Sequence, residues 1–227
     1  MAPVTAQHPG SSATDQNAGR ASFLDDPEVD EHVARMYADD VSGQGYVAHL
    51  TRVWAYSPEA LGAMSYILKH ASVTAGLDAR ARALLVTACA ATMGDSYCSL
   101  AFGSQLAREA GDDVAASVLL DQDLTLSPEE RTLVRWARRV SRDPSATTAA
   151  DVETLRALGY GDHQIFAITL FVAMRLAFST VNDALGAAPD AQLSERAPAA
   201  VRSAATFGRP PTPHDHVTIG GPADGPA

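Results

Sequence analysis

An all-α bundle of about seven or eight helices is the fold this sequence predicts. Three observations lead there. Apolar residues recur at helical spacing through the middle of the chain, helix-start signals precede several of these stretches, and no segment shows the strict alternation of a half-buried strand. At 227 residues the chain is long enough for one well-packed domain with length left for tails.

Residues 1–21 are mostly Ala, Ser, Gly, Gln and Thr, too poor in large apolar groups to offset the entropy of ordering, and read as a flexible tail. The helical domain then spans 22–187. Ser57-Pro58-Glu59 supplies a cap with proline at the first helical position, after which Leu61, Met64, Ile67 and Leu68 share a face. Leu84, Leu85, Ala88 and Cys89 form the face of the next helix. Ser127-Pro128-Glu129-Glu130 is a capping box, followed by Leu133, Val134, Ala137 and Val140 on one side. Val152, Leu155 and Leu158 make a short amphipathic helix ended by Gly159, and Asp162 is placed to cap the helix after it.

The last core helix differs from the others. Ile165 to Phe178 is apolar on every side, which predicts burial against both the core and a second subunit, and hence a homo-oligomer. It carries one charge, Arg175. Burying an unpaired guanidinium is costly, so Arg175 is expected to meet a carboxylate, a ligand anion or water. Beyond Gly186, prolines at 189, 198, 210, 211, 213, 222 and 226 oppose long regular elements. Residues 188–227 therefore read as a second tail, or as an arm laid over a partner subunit.

The net charge of -10, from 17 basic and 27 acidic residues, leaves no electrostatic footprint for nucleic acid or an anionic membrane surface. Only Cys89 and Cys98 occur, which fits a reducing cytoplasm better than a disulfide scaffold. The start of the chain lacks the basic and apolar stretches of a signal peptide, and no charge-free run reaches membrane-spanning length. A cytoplasmic protein is expected.

The most informative segment is Met93-Gly94-Asp95-Ser96-Tyr97-Cys98-Ser99-Leu100-Ala101-Phe102. It resembles the thiol motif of the alkylhydroperoxidase D-like (AhpD-like) and carboxymuconolactone decarboxylase-like family, Cys-x-x-Cys-x-x-x-His with a glutamate upstream. Asp95 stands at the first cysteine, Cys98 at the second, Phe102 at the histidine and Ala83 at the glutamate. The resemblance runs from about Phe23 to Leu185. It includes Arg80-Ala81-Arg82-Ala83-Leu84-Leu85-Val86 before the motif, then Ser127 to Glu130, Asp151 to Gly159 and Asp162-His163-Gln164-Ile165, which are similar to the peroxidase-related branch. It implies an AhpD-like helical bundle.

It also implies what is lost. Peroxide reduction of this kind needs a thiolate, a resolving thiol and a proton relay. One cysteine in the motif forms no disulfide within it, and neither Ala83 nor Phe102 carries a proton. The expected site is a pocket with Asp95, Cys98 and Tyr97 as catalytic candidates and Arg175, Phe102 and Ser99 as substrate contacts. Four of them have a plainer reading. Asp95 or Ser96 fits an N-cap, Cys98 a buried apolar residue, Tyr97 a packing aromatic and Arg175 a structural ion pair. His49, His70 and His163 show no ligand spacing, and His214-Asp215-His216 is a weak metal candidate, so neither metal nor cofactor is expected. The functional expectation is cofactor-independent acid/base chemistry on a small organic molecule, including a carboxylate-bearing one. A one-cysteine hydroperoxide reductase and a noncatalytic binding or assembly protein are the alternatives.

Overall fold

Eleven α-helices and no strand make up the described part of the chain, residues 21–122 and 125–213 of a computed structural model. They are α1 (Glu31–Gln44), α2 (His49–Trp54), α3 (Pro58–Ala75), α4 (Ala79–Met93), α5 (Ser96–Ala110), α6 (Asp112–Leu119), α7 (Pro128–Arg142), α8 (Ala149–Ala157), α9 (Asp162–Ala184), α10 (Ala191–Arg196) and α11 (Ala199–Ala204). Eight of them are longer than six residues, and α2, α10 and α11 are single short turns.

The centre of the bundle is α4, in which every residue from Ala83 to Ala90 is buried. A helix apolar all round can only sit inside, and α5, α6, α7 and α9 surround it. Helix α7 shows the complementary pattern: Leu133, Val134, Ala137 and Val140 face the core, while Arg135, Arg139 and Arg142 are exposed. Its capping box forms as expected, with Glu130 N donating to Ser127 Oγ at 3.2 Å and Ser127 N donating to Glu130 Oε2 at 2.8 Å. Such a cap adds about 1 kcal/mol.

Two other expected caps differ. The Ser57 side chain does not cap α3, whose start relies on Pro58. Asp162 is the first residue of α9 rather than its cap: its carboxylate accepts from Arg156 at 2.7 Å and 2.9 Å, and Gln164 Oε1 accepts from Gly161 N at 3.1 Å at the helix start.

By length and composition α9 could cross a membrane, with a mean hydropathy of 1.7 over its most apolar stretch. Here it packs against α3, α4 and α7, as a core helix does. Its outer side leaves Phe166 exposed, and Tyr66 and Val73 of α3 are exposed as well.

Within the expected 188–227 tail or arm, the described residues to 213 lie against the chain's own helices. The prolines punctuate this segment without detaching it. Helix α11 packs on α5 and α6, with Val201 and Ala204 buried, and Val201 fits against Gly103, where a Cβ would come within 3.0 Å of it. The expected 1–21 tail and the His214-Asp215-His216 cluster lie, save for Ala21, outside the described residues.

Candidate functional site

The turn between α4 and α5 is built by two residues. Gly94 ends α4 with a φ of 78°, a left-handed conformation that a side chain disfavours. Asp95 then caps α5, its Oδ1 accepting from Cys98 N at 2.9 Å. The cap reading of Asp95 is the one realised, and the carboxylate is completely buried with Oδ2 unpartnered.

This turn fixes where the next side chains go. Tyr97 donates its hydroxyl to Asp190 Oδ2, and Asp190 Oδ1 accepts from His49 N at 3.1 Å. His49 Nε2 lies 3.5 Å from the same carboxylate, and its Nδ1 is 3.0 Å from the Ala188 carbonyl. Burial, then the Asp190 carboxylate, push the Tyr97 hydroxyl far above its usual range, so it stays protonated and ties residues 188–190 to α5. Ser96 Oγ donates to the Arg209 carbonyl at 2.7 Å, and Gly208 rests on the Gly94 carbonyl. The last described segment therefore straps over the start of α5.

Cys98 points the other way, into a cluster with Trp54, Ala90 and Phe178. Burial and the Asp95 carboxylate push its thiol far up, outweighing Arg175 and Ser179, which pull it down. It rests as a thiol. Burial likewise pushes Cys89 up to about 11, in keeping with a core residue. Ser99 is fully buried and its hydroxyl has no partner.

Arg175 answers the expectation attached to it in an unexpected way. It is 7% exposed and makes no ion pair with Asp95 or any other described carboxylate. Its Nη2 donates to Cys98 Sγ at 3.3 Å, its Nε has no partner, and its Cζ stacks over the Phe102 and Phe178 rings at 4.6 Å and 4.8 Å. Phe178 in turn stacks on Trp54 at 5.0 Å, whose indole N–H donates to Asn182 Oδ1 at 2.8 Å. Aromatic faces and a thiol are weak counterparts for a buried cation.

Arg175 also borders a pocket of about 440 Å³ between α3, α4, α5 and α9. Its apolar lining is Leu68, Val73, Val86, Phe102 and Phe171, and its polar lining is Lys69, Ser72, Arg82, Gln105 and Arg175. Three cations and no carboxylate line it, in a chain whose net charge is -10. A larger pocket of about 580 Å³ between α7 and α8 is different: Arg138 and Arg142 pair with Asp121, and Arg139 with Asp151. Its charges largely satisfy one another.

The expected common pocket is therefore only partly assembled. Phe102 and Arg175 line it, whereas Asp95, Tyr97, Cys98 and Ser99 are buried and are not among its lining residues. Lys69 and Arg82 are pocket residues that sequence reasoning did not single out. A cation at one helix position and a cation on another helix carry no joint signal until packing brings them together. Among the described residues no group of three His, Cys, Asp or Glu side chains could hold a metal ion.

Two solved structures share this architecture. One is described as an alkylhydroperoxidase AhpD core, an uncharacterized peroxidase-related protein from Ralstonia eutropha JMP134. It is 22% identical, with a TM-score of 0.66 over 76% of this chain and 94% of that one. The other is an uncharacterized peroxidase-related protein from Silicibacter sp. TM1040, 19% identical, with a TM-score of 0.68 over 79% of this chain and 97% of that one. No protein-family model and no curated protein matches. The chain thus has the fold of an AhpD core.

Proposed function

We propose that this protein binds a small organic carboxylate in the pocket between α3, α4, α5 and α9, and that it does not run two-cysteine peroxide chemistry on its AhpD-type fold. The observation that carries this reading is the pocket lining: Lys69, Arg82 and Arg175 with apolar walls and no acidic side chain. A buried guanidinium without a carboxylate partner gains most from an incoming anion, since charge-assisted and bidentate hydrogen bonds are the strong ones. The apolar walls suit the carbon skeleton of the ligand.

Loss of peroxide chemistry is supported by Cys98 being a buried thiol, by the cap role of Asp95 and by Phe102 serving as a stacking surface. A thiol held far above neutral is a poor nucleophile, which weighs against the one-cysteine reductase as well. The acid/base reading draws on Cys98 and Asp95 as the proton-moving pair, with the three cations offsetting negative charge that develops on the ligand. A second reading, binding without turnover, is favoured by the absence of any carboxylate, thiol or imidazole from the pocket lining.

The test is titration calorimetry with sodium benzoate and with benzamide, which has the same ring and no charge. Benzoate should bind and benzamide should not, and Arg82→Gln should weaken benzoate. Equal binding of both, or of neither, would remove the proposal. In parallel, peroxide consumption with dithiol reductants should be negligible, and turnover abolished by Cys98→Ser would overturn that half of it.

A further inference from the structure

Cys98 and the pocket are separated by a single side chain. Arg175 reaches the thiol with Nη2 at 3.3 Å, and the same residue lines the pocket. What holds it there is modest: two ring faces and a thiol, with Nε buried and unpartnered. Behind it lie polar atoms whose hydrogen-bonding capacity is unused, Asp95 Oδ2 beside Cys98 and Asn182 Nδ2 two turns along α9 from Arg175. Unpaired buried polar groups of this kind are rare in folded proteins and mark either strain or a place meant to receive a partner.

We infer that Arg175 is an anion-operated gate: a carboxylate bound beside Lys69 and Arg82 draws the guanidinium off Cys98, and the thiol with its neighbour Asp95 then opens to the pocket. The inference rests on the carboxylate-binding reading and adds a consequence that simple binding lacks. Exchanging a neutral sulfur acceptor for a carboxylate favours the displaced position, because hydrogen bonds between ionised partners are about twice as strong as neutral ones. The displaced cation also moves toward solvent, relieving the cost of burying it unpaired. The cations at the mouth would hold the ligand while its far end faces the uncovered sulfur. In the unliganded protein the same contact keeps Cys98 out of reach of oxidants and electrophiles.

The two cysteines make the gate measurable in the unaltered chain. Both are buried, at 2% exposure each, but of the two it is Cys98 that Arg175 hydrogen-bonds, whereas it acts on Cys89 through its charge. Alkylation by iodoacetamide is followed at each by peptide mass mapping while sodium benzoate or benzamide is titrated in. If opening limits the reaction, the rate follows the open fraction. Saturating benzoate should speed Cys98 labelling about tenfold, equivalent to about 1.4 kcal/mol, with Cys89 unchanged and benzamide without effect. Arg175→Ala should label fast at Cys98 without benzoate and respond no further.

Failure of the gate is distinct from failure of the pocket. If calorimetry shows benzoate bound while Cys98 labelling is unchanged or slowed, the gate is wrong and the binding site stands. If benzoate does not bind, both fall. Acceleration of Cys89 and Cys98 together would mean general loosening of the fold and would also overturn the gate.

Discussion

Replacing Arg175 by methionine separates a structural charge from a ligand-binding one. The substitution removes two stacking contacts, each worth about 0.5 to 2 kcal/mol, and a hydrogen bond to sulfur. It also removes the burial of an ion that has no carboxylate partner among the described residues, a penalty of several kcal/mol. Methionine fills a similar volume and suits a cluster of Trp54, Phe102 and Phe178. The desolvation relief outweighs the losses, so the folded state should gain roughly 1 kcal/mol, or a rise of about 2 to 4 °C in Tm. Thermal unfolding followed by circular dichroism measures this. Benzoate affinity should meanwhile fall by about 1.5 to 3 kcal/mol, roughly tenfold to 150-fold. A fall in Tm of more than about 4 °C would refute the reasoning, because the guanidinium would then be holding the fold together.

Other outcomes follow from the surroundings of the α4–α5 turn. Burial and the nearby Asp95 raise Asp183 from 3.8 to about 6, so between those pH values the folded protein holds a proton that the unfolded chain has released. Stability from this group is therefore present at low pH and lost as pH rises through about 6; Asp183→Asn should flatten that slope in melts across pH 4 to 7 and raise Tm at pH 7. Gly208 has a φ of 72°, and a Cβ there would lie 2.3 Å from the Gly94 carbonyl oxygen. Gly208→Ala should free the strap, seen as faster limited proteolysis between residues 205 and 213; an unchanged cleavage pattern would count against it. Asp95→Cys alone should restore no hydroperoxide reductase turnover in a peroxide-consumption assay, since Ala83 and Phe102 still move no protons. The exposed Tyr66, Val73 and Phe166 lead us to expect self-association; a monomer by light scattering at micromolar concentration would contradict it.

The sequence alone determined the helical class and much of its punctuation. Helical periodicity and caps act within a few residues, so the Ser127 capping box and the buried Leu84-Leu85-Ala88-Cys89 face were legible without a structure, and the α5 cap was narrowed to Asp95 or Ser96. Even the anomaly of one charge in an apolar helix was visible. Its meaning was not, because a guanidinium's partner can come from any element packed against α9, and here it is a thiol 77 positions earlier. Tertiary structure likewise decided that residues 187–213 fold back, through Val201 against α5 and α6 and through Asp190 between Tyr97 and His49. It also decided the pocket. Lys69, Arg82 and Arg175 lie on three helices, and only packing those helices side by side turns three separate charges into one cationic cavity.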